Sequence, residues 1–196
     1  MPSNKLSVNL VFALAVVALG LTAATFAYLN WNHPQVRPAA AQEATGSPPP
    51  EKALTIDAEN KLAVLEQMSA KDPENAAYPA QIANIYYDLG QYGKAADFYR
   101  KSLNIKPGDP NVETDLATCL HYMGQHEKAL ETLDKVLGYS PNFSQAMFNK
   151  GIVLIQGGSD VRGGIAVWEE LLKSDPAFSK SAGLEQRINQ LKAAAK

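Results

Sequence analysis

A regular recurrence of proline limits what this chain can fold into more than any other feature. The interval between these prolines is 34, 34 and 35 residues, at Pro73, Pro107, Pro141 and Pro176. The intervening residues also correspond, because the stretch 84–95 aligns with the stretch 118–129. Self-similarity at a fixed period of about 20–50 residues is typical of solenoids, in which each unit buries its apolar face against its neighbours. The sequence therefore predicts a stack of similar units.

Each unit has the pattern of two helices joined by a turn. Apolar residues recur at helical spacing, without the alternation that is typical of a strand. Small residues recur where two helices would cross closely, at Ala83, Ala117 and Gly151 in the first helix and at Ala95, Ala129 and Gly164 in the second. Gly90 and Gly124 follow the first helix, where glycine adopts a positive φ most readily. The prolines end the second helix, which they cannot continue. The predicted fold class is all-α.

In these motifs the chain resembles the tetratricopeptide repeat (TPR) family. The resemblance covers residues 76–178 and implies about three helix-turn-helix repeats in a right-handed solenoid. Flanking helices complete the predicted TPR domain, which spans residues 54–196. The segment 56–69 is predicted to be a helix with Leu62, Leu65 and Met68 inward. The segment 180–195 is predicted to be a C-terminal capping helix with Leu184, Ile188 and Leu191 on one stripe.

The N-terminal segment predicts a membrane anchor. Residues 6–36 contain no Lys, Arg, Asp or Glu, and residues 10–29 are almost all apolar. About 20 such residues in a helix span the hydrocarbon core of a bilayer. We predict a cytoplasmic N-terminus at 1–9, a transmembrane helix or signal anchor at 10–31 and, from the positive-inside bias, an extracytoplasmic remainder. A cleaved signal peptide is the alternative, because residues 39–41 are three alanines similar to a cleavage site.

The predicted linker follows the anchor. Residues 32–53 are rich in Pro and Ala and predict an extended spacer.

Residues 1–42 contain Lys5 and Arg37 as their charged side chains, so the remainder carries 16 basic and 20 acidic side chains. A mildly acidic domain without a basic cluster argues against nucleic acid as a partner.

Candidate catalytic and metal-binding residues are few. Cys119 is the single cysteine, which excludes an intrachain disulfide and a CxxC pair, and we expect it to be buried. Cys119 and His121 lie two apart on a helix and therefore point to different faces. His121 and His126 lack a third ligand at metal spacing. No common catalytic motif occurs. We predict a protein that is not an enzyme and has neither metal nor cofactor.

The resemblance to TPR proteins implies a peptide-binding groove lined by the first helix of each repeat. The candidate groove residues are Asn84, Tyr87, Asp88, Thr118, His121, Tyr122, Phe148, Ile152 and Ile155. Some TPR proteins hold a C-terminal carboxylate with Lys, Arg and Asn. Asn84 matches that asparagine here, but Ala80 and Gln145 occupy the cationic places. The expected ligand is therefore an extended or helical peptide with apolar anchors. The alternative is that the apolar residues pack against the capping helix.

These features together predict a membrane-anchored, extracytoplasmic adaptor that binds a segment of a partner protein. The anchor, the external repeats and the segment 165–176, IAVWEELLKSDP, are similar to the TPR subunits of bacterial cytochrome c maturation systems. That narrower resemblance implies a periplasmic domain on the bacterial inner membrane, an apocytochrome c as the source of the peptide, and haem held by the partners. The alternative function is a structural scaffold for an envelope or secretion complex. The oligomeric state is not predicted.

Overall fold

The computed structural model describes residues 55–157 and 160–194. In this part of the chain the helices are α1 (Ile56–Lys71), α2 (Ala77–Asp88), α3 (Tyr92–Ile105), α4 (Pro110–Tyr122), α5 (His126–Tyr139), α6 (Ser144–Gln156), α7 (Val161–Ser174), α8 (Pro176–Ser181) and α9 (Leu184–Ala194). No helix among these residues is both long enough and apolar enough to cross a bilayer. The predicted anchor at 10–31 and linker at 32–53 lie outside the described residues.

Three helix-turn-helix pairs form the centre of the domain, which confirms the predicted all-α fold of stacked repeats. They are α2 with α3, α4 with α5, and α6 with α7, and each pair packs on the next. The first two turns contain Gly90 at φ 76° and Gly124 at φ 74°, as the sequence predicted. Each turn lets the second helix fold back along the first.

The core lies at the crossings of these helices. Ala83, Ala95, Ala117 and Ala129 are completely buried, as is Cys119. In the third repeat a larger partner fills the crossing, because the indole of Trp168 packs against the backbone of Gly151 and donates a hydrogen bond from Nε1 to the Phe148 carbonyl oxygen (2.9 Å). A small residue at each crossing therefore sets how closely the two helices approach.

A buried carboxylate joins the two helices of the second repeat. Glu113, in the first turn of α4, is 3% exposed and accepts hydrogen bonds from Lys135 Nζ (2.9 Å) and the Tyr139 hydroxyl (3.2 Å), both on α5. Burial, followed by the Glu113 charge, raises the pKa of Tyr139 to about 12. The phenol therefore stays protonated, and continues to donate its hydrogen bond, above the pH at which an ordinary tyrosine ionises.

The flanking helices differ in detail from the sequence prediction. Leu62 of α1 is buried as predicted, but Met68 is 41% exposed, because α1 has a neighbouring helix on one side only. The single capping helix predicted from residue 180 is wrong. The chain instead forms α8 and then α9, separated by Gly183 at φ 61°. Leu184 of α9 is fully buried, as predicted.

Candidate functional site

The candidate site is the face formed by the first helices α2, α4 and α6, of which α4 and α6 also contact each other. At the turn end of this face, aromatic rings form one continuous row. It consists of Tyr87, Tyr92, Tyr122, His121 and His126, which we call the aromatic row. Tyr87 meets Tyr92 edge to face with ring centroids 5.5 Å apart, and Tyr92 stacks on Tyr122 at 4.5 Å. Tyr122 adjoins His121 at 5.6 Å, and His121 adjoins His126 at 4.9 Å.

The tyrosines of the row are held neutral by their surroundings. Burial raises the pKa of Tyr87, with the neighbouring Tyr122 as the next cause. Burial likewise raises the pKa values of Tyr92 and Tyr122. Phenols that stay protonated present apolar ring surface and hydroxyl groups that can donate and accept hydrogen bonds, without a negative charge.

The histidine end of the row is fixed by hydrogen bonds on both nitrogens of His121. The Nδ1 atoms of His121 and His126 are 3.0 Å apart, and His121 Nε2 is 3.2 Å from Gln156 Oε1 on α6. The amide oxygen can only accept, so His121 carries its proton on Nε2 and His126 donates from Nδ1. Burial is the largest influence on the pKa of His121 and lowers it, and the nearby His126 lowers it further, against the effect of the Gln156 hydrogen bond.

A polar network lies nearer the other end of the face. Thr118 donates to the Thr114 carbonyl oxygen (2.9 Å) and accepts from Asn149 Nδ2 (2.9 Å), and Gln145 Nε2 donates to Asn149 Oδ1 (3.1 Å). These bonds tie α4 to α6. In the first repeat the Tyr99 hydroxyl donates to Asn84 Oδ1 at 2.6 Å. The predicted residue Asn84 therefore joins the two helices of the first repeat, and Thr118 joins the second repeat to the third.

Two predicted groove residues are wrong, because their side chains are buried. His121 is 9% exposed and is held by the hydrogen bonds of the histidine pair. Phe148 is 1% exposed, because its ring stacks on Trp168 at 5.7 Å and meets Phe178 of α8 edge to face at 5.8 Å. It is therefore a core residue, and no ligand can reach it. Ile152 and Ile155 are half-buried, and Ile155 packs against Gly164 of α7, so only part of each side chain is accessible. The apolar residues of the third repeat thus divide between packing and the open face.

The sequence prediction missed Tyr92 and His126, which start the second helices yet complete the aromatic row. The repeat period offered a signal for both. Tyr87 and His121 are one period apart, and so are Tyr92 and His126. The same two repeat positions therefore meet as Tyr87 with Tyr92 in the first repeat and as His121 with His126 in the second.

The charge on this face is low. Asp88 is exposed at the end of α2, Asp115 of α4 is half-buried near Tyr87, and Glu113 is buried against α5. Lys150 is the one Lys or Arg within α2, α4 and α6, and its Nζ is 2.6 Å from a carboxylate oxygen of Asp134 on α5. Among the described residues there is no group of three or more His, Cys, Asp or Glu that could hold a metal ion.

Comparisons with known proteins agree with this architecture. Two family models described as "Tetratricopeptide repeat" match residues 62–110 and 87–150. A TPR repeat-containing protein of Methanocaldococcus jannaschii is 34% identical over 71 residues, which are 36% of this chain and 12% of that protein. This chain thus spans a small part of that relative's length.

Solved structures show the same fold. MamA superposes with a TM-score of 0.57 at 15% identity over 69% of this chain and 84% of its own. The first TPR of Spaghetti (RPAP3), solved bound to the HSP90 peptide SRMEEVD, has a TM-score of 0.53 at 20% identity, over 62% of this chain and 96% of that chain. Residues 62–150 are therefore tetratricopeptide repeats, and the chain is a TPR-containing protein.

Proposed function

We propose that the protein is a non-catalytic adaptor whose first-helix face binds a peptide segment of a partner protein. The aromatic row carries this proposal, because it sets the partly accessible rings of Tyr87 and Tyr122 beside the amide and hydroxyl groups of the same face. Tyrosine supplies a large contact area at a low cost in side-chain entropy. The binding of a peptide by the RPAP3 repeats supports a similar use of the face here.

The chemistry of the face indicates which peptide it would accept. The RPAP3 ligand SRMEEVD is acidic at its end, and an acidic terminus calls for cations on the receptor. The only cation of α2, α4 and α6 is paired with Asp134, and Asp88 adds a negative charge at the rim. We therefore expect an internal segment with aromatic or aliphatic anchors, and not an acidic C-terminus.

The proposal includes a location. The charge-free segment 6–36 supports a membrane anchor, with residues 54–196 on the extracytoplasmic side of a bacterial inner membrane. Anchoring raises the effective concentration of the domain near membrane-bound partners. Within this class, the likeness of residues 165–176 to cytochrome c maturation subunits favours an apocytochrome c as the source of the peptide.

A structural scaffold is the second candidate, and one observation favours it. The N-terminal helix α1 leaves Ile56, Val64 and Met68 between 41% and 77% exposed. An assembly partner that docked on the end of the solenoid would cover these side chains, whereas a peptide in the groove would leave them exposed.

Photo-crosslinking in native membranes separates the two functions. A crosslinking residue is placed at 88, exposed on the groove rim, or at 128, exposed on α5. Peptide capture on the first-helix face predicts a specific adduct from position 88 and none from position 128. Mass spectrometry of the adduct then identifies the partner and tests the apocytochrome assignment.

Two matched variants complete this experiment. We expect Tyr87→Ala with Tyr122→Ala to abolish the adduct, and Ile56→Ala with Val64→Ala to leave it unchanged. The opposite result would support the scaffold and contradict the groove. Circular dichroism of each variant checks that the helices persist. An undiminished adduct in the folded tyrosine variant would rule out groove binding.

A further inference from the structure

The pair formed by His121 and His126 differs chemically from the same contact in the preceding repeat. There, Tyr87 and Tyr92 meet with ring centroids 5.5 Å apart, and no hydrogen bond is needed for the packing. The corresponding pair in the second repeat is two imidazoles whose Nδ1 atoms are 3.0 Å apart. The first repeat thus fills this position with two tyrosine rings, which do not change charge near neutral pH. In the second repeat the same contact is made by two histidines, so its strength depends on pH.

The hydrogen bond between the two Nδ1 atoms depends on the number of protons that the pair carries. At 3.0 Å only one proton can lie between the two Nδ1 atoms, and the hydrogen bond from His121 Nε2 to Gln156 assigns that proton to His126. A first added proton leaves the hydrogen bond in place whichever ring takes it, because one of the two Nδ1 atoms can still accept. A second added proton would set two N–H groups and two positive rings against each other. Because burial and the nearby His126 lower the pKa of His121, uptake of this second proton by His121 is the event that breaks the pair.

The pair lies where a break would affect two repeats. His121 lies one residue before the end of α4, His126 begins α5, and Gln156 ends α6. Gly157 follows α6, and a side chain there would overlap the His126 ring, so the ring lies directly against the third-repeat turn. Loss of the Nδ1 contact would thus loosen both the second turn and its packing on the third repeat.

The groups around His121 do not offset its charge. Its own helix contributes the neutral phenol of Tyr122, and α6 contributes the uncharged amide of Gln156. Tyr92 of α3 lies beyond Tyr122, and its phenol is also neutral. On α5 the flanking Glu127 and Lys128 are exposed, and the carboxylate of Asp160, which precedes α7, accepts a hydrogen bond from the Gly163 N–H.

We propose that His121 and His126 form a proton-sensitive latch, closed at neutral pH and opened in mild acid, that docks the second-repeat turn onto the third repeat. This inference does not depend on peptide binding. Burial and the nearby His126 lower the pKa of His121, so the folded chain binds this proton less readily than the unfolded chain. The latch therefore stabilises the fold fully above the ordinary histidine value of 6.5 and loses its contribution as the pH falls below it.

The test uses the full-length chain and two mass-spectrometric readouts. Deuterium exchange at the imidazole C2 position reports the pKa of each histidine, with the urea-unfolded chain as reference. Backbone amide exchange, corrected for its intrinsic pH dependence, reports local opening. We expect His121 to titrate below its unfolded value. We also expect amide exchange in 119–130 and 150–157 to rise several-fold between pH 7.5 and pH 5.5, while exchange in 92–105 stays constant.

The preceding repeat supplies the control variant. The double variant His121→Tyr with His126→Tyr places the tyrosine pair of the first repeat in the second repeat. We expect it to remove the pH dependence of amide exchange in 119–130 and 150–157. A pH response that persists in this variant would overturn the latch. If the variant does not fold, the wild-type chain decides alone. Unchanged exchange in 119–130 and 150–157 across the two pH values, or a His121 that titrates as in the unfolded chain, would equally overturn it.

Discussion

At the scale of single residues, the crossing of α6 and α7 depends on the absence of a side chain at one position. A Cβ atom on Gly151 would overlap the Trp168 indole, which is itself held by its hydrogen bond to Phe148. Ala83 and Ala117 occupy the corresponding position in the first two repeats, where Tyr99 and Leu133 stand at the position of Trp168. The third repeat therefore exchanges the usual alanine for glycine because its partner ring is larger.

We expect Gly151→Ala to destabilise the domain by about 1–3 kcal/mol, since overpacking forces the ring or the backbone to move. Gly138→Ala is the matched control, because α5 leaves open space around Gly138. Gly138 lies in the last turn of α5 with a backbone that alanine can adopt, so the change reduces the entropy of the unfolded chain and should stabilise by about 0.4–1 kcal/mol. Urea unfolding followed by circular dichroism measures both. Equal effects in the two variants would contradict the crowding argument.

At the scale of helices, the sequence predicted the repeats well and their ends less well. The small residues at the crossings and the turn glycines carry strong local signals, so α2 to α7 could be predicted. The break before α9 depends on one backbone conformation, at Gly183, which the continuous apolar stripe hides. Phe148 was misassigned because its repeat position faces the groove in the family, whereas here Trp168 and Phe178 enclose it. The His121–His126 contact depends on side-chain geometry across a turn, which spacing alone does not give.

One carboxylate links α6 to α8 by hydrogen bonds, beside the contact of Phe148 with Phe178. Asp175 caps α8 by accepting from the Phe178 N–H (3.0 Å), and it also accepts from the Ser144 hydroxyl at the start of α6 (2.6 Å). The first of these bonds, then the second, lowers the pKa of Asp175, so the carboxylate is ionised at neutral pH. It therefore acts as an acceptor for both helices at once.

Asp175→Ala is expected to cost about 1 kcal/mol, the usual loss for an N-cap. Asp175→Asn keeps an acceptor at the same place and should retain most of the stability. Thermal unfolding of the two variants at pH 7 makes the comparison. A loss of equal size in both variants would mean that the charge, and not the cap, stabilises this joint.

At the scale of the whole molecule, the domain is a chain of neighbour contacts. Each helix pair packs on the next, and the ends are covered by α1 at one side and by α8 and α9 at the other. In such an array stability is close to a sum over units and their interfaces. Damage at one end should therefore open that end first.

Leu184→Ala and Leu62→Ala test this at opposite ends, since both side chains are buried. Each should cost about 2–5 kcal/mol for a lost buried leucine. Amide exchange should increase first in α8 and α9 for Leu184→Ala, and first in α1 and α2 for Leu62→Ala. Uniform loss of protection in either variant would instead indicate that the domain unfolds as a single cooperative body.

The enclosure of Trp168 gives the protein a built-in optical reporter. It is the one tryptophan in the part of the chain that the structure describes, and its buried indole stacks on Phe148 and donates a hydrogen bond to the backbone. Once Trp31 is replaced by Phe, emission comes from the third repeat alone. A red shift that precedes the loss of helical ellipticity would reveal, in real time, fraying that starts at the C-terminal end.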